Sequence, residues 1–260
     1  MTSRQNTSFF DKISQDIDTK IIGKKIFHFE TIDSTNLYAK KLVKDASEGT
    51  IVISDIQTGG RGRKNRTWSS PKGGLWFSII LYPNIAPDQA MILTMMSSIA
   101  ITEAIDVITN ISPVIKWPND ILINEKKVCG ILTEIDTSSE KINYAIVGVG
   151  INVNNDLVED LQKNAISLKE AYGKVIIIEK LLKQILKLLD NYYEILMSGE
   201  REIIQNKWLE YSNIIGRNVN IVNGNKKFSG AVLNINENGS LIIKTKNGNE
   251  IVNVGDLTYQ

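Results

Sequence analysis

The chain has 260 residues, 42% of them hydrophobic and 23% charged, an ordinary balance for a globular protein able to bury a core. Lys and Arg number 30 against 29 Asp and Glu, a formal net charge of +1, so overall electrostatics give no case for a nucleic acid or an anionic membrane as partner. The single cysteine, Cys129, excludes an internal disulfide, and the single histidine, His28, argues against His-built metal sites and Ser-His-Asp catalysis.

The N-terminus has no apolar stretch of signal-peptide type and no run of transmembrane length is apparent, so a soluble cytoplasmic chain is expected. Weak helical periodicity (Phe9, Ile13, Ile17) precedes a short strand at residues 25–29, where His28 alternates as a structural residue. Asp33-Ser34-Thr35-Asn36 then leads into Leu37, Tyr38, Ala39 and Leu42 at helical spacing. Ser34 or Thr35 can serve there as a helix N-cap, and their hydroxyls also suit a neutral polar ring because each both donates and accepts. Residues 50–56 read as a buried strand and residues 75–82 as another. Residues 88–109 form an apolar helix rich in small residues, with Met91, Met95 and Met96 as core filler.

Short strands follow at residues 114–117, 121–124, 128–135 and 142–153, with a turn at 125–127. Cys129 lies in one of them as a buried filler. Residues 154–164 are polar and loop-like, and residues 176–196 make an amphipathic helix followed by a shorter one ending near Tyr211. From Gly216 the pattern changes to short strands punctuated by Asn223-Gly224, Asn238-Gly239 and Asn247-Gly248, each a hairpin signal. The division expected is a domain over residues 1–213 and a small β-barrel or curled sheet over residues 214–260.

The densest chemistry sits between the strands at 50–56 and 75–82. Thr58-Gly59-Gly60-Arg61-Gly62-Arg63-Lys64-Asn65-Arg66-Thr67-Trp68 combines three arginines with three glycines, preceded by Gln57. Glycine admits a ligand close to backbone N–H groups, and arginine offers a planar fork of donors matched to carboxylate or phosphate. A second cluster, Lys116-Trp117-Pro118-Asn119-Asp120, lies downstream with Lys127 and Gly130 beyond it. A P-loop motif is absent, and Gly148-Val149-Gly150 lacks the third glycine of a dinucleotide fingerprint. Clustered cations and backbone dipoles without paired carboxylates suit phosphoryl or nucleotidyl transfer, in which developing negative charge must be stabilised.

Asp33-Ser34-Thr35-Asn36, Gln57 with Gly60-Arg61-Gly62-Arg63, Lys116-Trp117-Pro118-Asn119-Asp120, Lys127 with Gly130, and Gly148-Val149-Gly150-Ile151-Asn152 together resemble the biotin–protein ligases. The motifs run in that family's order over about residues 25–155, and the C-terminal hairpins look like its SH3-like domain. The resemblance implies an α+β fold, a mixed β-sheet carrying helices as in class II synthetases, plus a small SH3-like β-barrel. It also implies two half-reactions. Biotin's carboxylate attacks the α-phosphate of ATP, giving biotinyl-adenylate and pyrophosphate. A lysine of a biotin carboxyl carrier protein, such as that of acetyl-CoA carboxylase, then takes the biotinyl group and releases AMP.

By resemblance the biotin site comprises Ser34, Thr35, Asn36, Gln57, Gly60, Arg61, Arg63, Trp68, Lys127 and Gly130. The ATP or adenylate site comprises Arg63, Arg66, Trp68, Lys116, Asn119, Lys127, Gly150 and Asn152. Arg63, Lys127, Asp120 and Lys116 are the expected catalytic residues. Arg63 and Lys127 neutralise the reacting anions, and Asp120 orients or deprotonates the acceptor amine. Mg2+ is expected to arrive with ATP and to have no dedicated protein cage. The chain has no room for an N-terminal DNA-binding domain and so resembles the monofunctional type. It also ends in Gln260 where such chains often carry an arginine, which puts a C-terminal contact to ATP in doubt. Two alternatives stay open: a lipoate ligase-like adenylating enzyme, and a nucleic-acid-binding module using the Arg-rich loop. Strand edges near residues 148–153 suggest a homodimer, and neither nucleic acid nor membrane is expected as a partner.

Overall fold

The computed structural model describes residues 17–260; the expected helical residues Phe9 and Ile13 lie outside them. The larger part is built on a seven-stranded sheet in the order β1-β2-β3-β7-β6-β5-β4. Its strands are β1 (Ile26–Ile32), β2 (Thr50–Gln57), β3 (Leu75–Leu81), β4 (Val114–Lys116), β5 (Asp120–Ile123), β6 (Lys126–Thr137) and β7 (Ile142–Ile151). Only β1 and β2 run parallel, which makes the sheet mixed. Helix α1 (Thr35–Leu42) joins β1 to β2, which accords with the crossover that a parallel pair requires.

Side-chain alternation sorts the two faces of this sheet. Ile51, Ile53, Phe77, Ile79, Val147, Val149 and Ile151 point one way into the main core. That core is covered by α2 (Met91–Thr109), α5 (Ile178–Met197) and α6 (Arg201–Ser212). On the other face Ala39, Val52, Ile80 and Ile146 form a small second cluster under α1. Farther along that second face the residues become small: Ser78 pairs with Gly148, and Gly150 lies between Trp76 and Gly130. Helix side chains would fill such a depression, but among the described residues no long helix covers it, and a hollow remains over the middle of the sheet.

Helix α2 corrects one expectation. The stretch Pro87–Thr109 is long and apolar enough to cross a membrane, yet 72% of its apolar window is buried against protein. It is apolar on most of its circumference because it is packed on most of it, by the sheet, α5 and α6. Asp190, on α5, is likewise inward-facing. Its carboxylate accepts the backbone N–H groups of Lys20, Ile21 and Ile22 at 2.5, 2.9 and 2.7 Å, tying down the entry to β1. A short helix, α3 (Glu159–Gln162), breaks the polar stretch expected to be loop, and another, α4 (Leu168–Tyr172), follows it.

A second correction concerns residues 148–153. Strand β7 is flanked on both sides, with Ile151 facing Leu75 of β3 and Cys129 of β6. Its backbone groups are spent inside the sheet, so it offers no edge to a second copy; the edges are β1 and β4.

The C-terminal part is a five-stranded antiparallel sheet in the order β11-β10-β9-β8-β12. The strands are β8 (Asn218–Asn223), β9 (Lys226–Ile235), β10 (Leu241–Thr245), β11 (Gly248–Val252) and β12 (Asp256–Tyr259), with the three Asn-Gly hairpins where the sequence placed them. A flat sheet of five strands would separate its edges by about 19 Å, at 4.7–4.9 Å per step. The short link from Val252 to Asp256 spans at most about 14 Å, so the sheet must roll. It does so without closing: β11 pairs only with β10 and β12 only with β8, and β11 and β12 share no ladder. The expected barrel is therefore an open, curled sheet. It is pinned to the larger part by Trp117, whose buried indole N–H donates to Gly239 O at 3.3 Å, and by Asn238, whose amide donates to Asp88 at 3.0 Å.

Candidate functional site

The hollow on the sheet opens into a cavity of about 480 Å3, within the usual size of small-molecule sites. Its floor consists of residues with little or no side chain. A Cβ on Gly150 would run into the indole of Trp68, and one on Gly130 would press at 3.0 Å on the same ring. A Cβ on Gly148 would strike the Asn36 amide. The glycines thus let an aromatic ring and an amide lie directly on the backbone of β6 and β7.

One end is a neutral hydrogen-bonding pocket. Ser34 stands at the N-cap of α1 with no side-chain capping bond, so capping is not its use. Gln57 Oε1 accepts from the backbone N–H of Thr35 at 2.9 Å and from its hydroxyl at 3.1 Å, and the Gln57 amide donates to Ser70 at 2.8 Å. Ser78 is fully buried, with its hydroxyl 2.7 Å from Thr35 Oγ1 and 2.6 Å from Asn36 Oδ1. The Asn36 amide donates to Glu134 at 2.7 Å, and Glu134 also receives Arg61 at 2.9 Å. Ser70, Ser78 and Glu134 were missed from the sequence. Ser78 had left a trace as the one hydroxyl in Leu75–Leu81, an otherwise apolar strand.

Over the cavity lies the glycine–arginine segment, which folds as a twisted hairpin. Trp68 N–H donates to Gly60 O at 2.9 Å and Gly62 N–H to Arg66 O at 2.7 Å. Its tip is a 3₁₀ turn at Arg63–Asn65 with Lys64 and Asn65 at φ 54° and 58°. Gly60, at the base of the hairpin, does not line the cavity, and a Cβ there would strike Trp68 O. Arg63 reaches across to donate to Asn119 Oδ1 at 2.9 Å and to Gly255 O at 3.2 Å. Burial lowers the pKa of its guanidinium, opposed by the nearby charges of Asp256 and Asp120.

The hairpin tip is clasped by β12. Asp256 lies 3.2 Å from Lys64 Nζ and 2.5 Å from Arg66 Nη2. Burial would raise its carboxyl, but the hydrogen bonds from Lys64 and Arg66 outweigh this and hold it below the usual carboxylate range. Residues 255–258 line the cavity, so the C-terminal sheet does reach the site. Gln260 does not; its amide donates to Asn220 within its own sheet at 2.9 Å.

The opposite wall carries the second motif. Lys116 and Asp120 face each other across the β4–β5 ladder. Lys127 was expected in a turn but lies inside β6, where its ammonium sits 2.6 Å from Asp120 Oδ1 and 5.0 Å from the centroid of Trp68. The Lys127–Asp120 contact is an ion pair whose angle falls outside hydrogen-bond geometry. Asn152 is buried on the cavity wall, near the loop carrying Leu157, Leu161 and Asn164. That segment, which includes α3 and also brings Asp160 to the cavity, was missed from the sequence.

The cavity therefore brings together Ser34, Thr35, Asn36, Gln57, Arg61, Arg63, Arg66, Trp68, Lys116, Asn119, Asp120, Lys127, Gly130 and Asn152; Gly60 and Gly150 lie behind its walls. Among the described residues the buried Nε of Arg61 and Nε1 of Trp68 have no hydrogen-bond partner. Cys129 is buried with its thiol pKa pushed up by desolvation, which makes it inert, and His28 pairs with Asp55 at 2.9 Å in the sheet. Among the described residues no group of three His, Cys, Asp or Glu side chains is placed to hold a metal.

Residues 28–152 match the Biotin/lipoate A/B protein ligase family, and residues 214–257 match the Biotin protein ligase C terminal domain. The bifunctional ligase/repressor BirA of Bacillus subtilis is 36% identical over 237 residues, 89% of this chain and 73% of that protein. The biotin–[acetyl-CoA-carboxylase] ligase of Paracoccus denitrificans is 27% identical, over 87% of this chain and 97% of its own length. Among solved structures, a biotin protein ligase from Aquifex aeolicus in complex with biotin and ATP superposes with a TM-score of 0.78 at 30% identity, covering 91% of this chain and 99% of that one.

Proposed function

The chain belongs to the Biotin/lipoate A/B protein ligase family, and on that premise we propose that it is an ATP-dependent biotin–protein ligase. It activates biotin as biotinyl-AMP and passes the biotinyl group to a lysine of a biotin-dependent carboxylase carrier domain. The observation that carries this reading is the polarity of one cavity. A neutral donor–acceptor pocket at Ser34, Thr35 and Gln57 lies at one end, and the cations Arg63, Lys116 and Lys127 gather at the other. A biotin molecule has the same polarity, a neutral ureido ring and a carboxylate at the end of an apolar chain.

In the first half-reaction two anions must meet, the carboxylate and the α-phosphate. Arg63 and Lys127 supply positive charge at their junction, where a positioned donor stabilises the charge that develops. Trp68, lying flat on Gly130 and Gly150, forms an apolar wall for the valeryl chain. The hairpin above keeps water from the mixed anhydride. Asn119 orients Arg63, Arg66 and Lys116 face the remaining phosphates, and Asn152 with the 157–164 loop borders the nucleoside. In the second half-reaction Asp120 accepts a proton from the incoming amine, which cannot attack while protonated. Mg2+ enters bound to the triphosphate as part of the substrate.

We assign residues 1–213 to catalysis and residues 214–260 to the clasp on the hairpin. A homodimer is a separate proposal without support from β7; sedimentation with biotin and ATP present decides it. The principal test is pyrophosphate release on mixing the chain with ATP and either biotin or lipoate. Release with biotin alone is expected. Release with lipoate alone would favour the lipoate reading, whose dithiolane leaves Ser34, Thr35 and Gln57 without ligand partners. A gel shift that persists at physiological salt without any release would favour nucleic-acid binding.

A further inference from the structure

We infer that Tyr259, in the C-terminal sheet, is a positioning residue that aims Lys116 at the triphosphate. The inference rests on the reading of the cavity as an ATP site and adds a residue outside it. Lys116 ends β4 and lines the cavity. Its ladder partner is Asp120, but that carboxylate is taken by Lys127 at 2.6 Å. Among the described residues Lys116 has no carboxylate within ion-pair distance. What it does have is the ring of Tyr259, whose centroid lies 5.8 Å from Nζ.

The same ring also carries the Arg217 guanidinium at 4.7 Å, and its hydroxyl is buried without a hydrogen-bond partner. A hydroxyl left unpaired in a buried place costs stability, so the ring rather than the hydroxyl is what this position uses. The distinction matters for function. A carboxylate beside Lys116 would hold it but also neutralise it, and would compete with phosphate. A π face attracts the ammonium through its quadrupole and leaves the full positive charge for an anionic ligand. Arg217 on the same ring adds a second positive charge to this corner of the C-terminal sheet.

Steady-state pyrophosphate release at saturating biotin tests this in the full-length chain. Tyr259→Phe should match the unmodified protein. Tyr259→Leu should raise KM for ATP by about three- to tenfold, the range of a partly desolvated cation–π contact, with kcat and biotin affinity nearly unchanged. In a Lys116→Met background the Leu substitution should add nothing further. Where Tyr259→Leu fails to fold, phenylalanines of increasing fluorination at position 259 weaken the negative face at nearly constant size, and KM for ATP should climb along that series.

A flat fluorination series, a Tyr259→Phe variant as impaired as Tyr259→Leu, or an equal effect without Lys116 would each overturn the inference while leaving the ligase reading intact. Absence of pyrophosphate release from the unmodified chain would instead overturn that reading, and this inference with it.

Discussion

Lys127 and Asp120 form an ion pair at 2.6 Å across the β5–β6 strands, and the same ammonium lies 5.0 Å from the ring of Trp68. The proposed donor for adenylation and the proposed base for transfer are therefore in contact before any ligand enters. On the roles proposed for them, an arriving carboxylate and phosphate would compete with Asp120 for Lys127 and free Asp120 for the acceptor amine, so the pair would couple the two half-reactions in order.

This coupling predicts unequal mutants. Lys127→Ala should slow pyrophosphate release by roughly 10²–10³-fold, the usual cost of deleting one charge-stabilising donor. Asp120→Asn should still form adenylate at close to the normal rate but transfer it slowly. Single-turnover transfer from separately prepared biotinyl-adenylate discriminates the two. If Lys127→Ala transfers as poorly as Asp120→Asn, the division of labour is wrong.

Gly150→Ala is the smallest change predicted to damage the site without touching its chemistry. The added methyl meets the indole of Trp68, which must leave the floor of the cavity. Since β7 is paired on both sides, the backbone cannot yield instead. Biotin affinity should fall at least tenfold while the unfolding temperature moves by only a few degrees, about 1 kcal/mol or less for a chain of this size. Unchanged biotin binding by calorimetry would disprove the role given to Trp68.

The clasp between Asp256 and the hairpin predicts a pH-dependent loop. The carboxyl is held below its usual range in the folded chain, so its contribution is fully present above the unfolded carboxyl value of about 3.9. It is lost as pH falls through the lower folded value. Asp256→Asn should be less stable than the unmodified protein at neutral pH and converge with it in acid. Hydrogen exchange over residues 58–68 should be faster in that variant, and biotin should slow it. Arg63→Gly should go further and let adenylate escape to label exposed lysines at random. Equal exchange with and without biotin would remove the lid from the mechanism.

Asp190→Ala concerns folding alone. Three backbone N–H groups, from Lys20, Ile21 and Ile22, lose their acceptor, the last in a buried place and the first two in partly buried ones. A loss of about 2–4 kcal/mol is expected from unpaired buried donors, read from urea denaturation, with KM values preserved well below the unfolding temperature.

The ligand roles of individual residues came from the family resemblance, while local patterns alone marked out most strands, the core helices, the three Asn-Gly hairpins and the two cation-rich clusters. These rest on short-range physics: alternation, helical period, turn conformations and the donor geometry of arginine. Assembly across distance was not readable in this way. Ser78 looked like an ordinary strand serine until the β3–β7 register set it against Gly148, beneath Asn36. Glu134 carried no motif, and only the β6–β7 pairing presents it to both Arg61 and Asn36. Residues 148–153 seemed available to a second copy, whereas the sheet order buries them between two neighbours. The C-terminal sheet had no visible link to the cavity, yet its roll brings Asp256 to the hairpin and Tyr259 to Lys116. Residue types determined which chemistry was on offer. Strand order and register, properties of the whole chain, decided which of those residues meet.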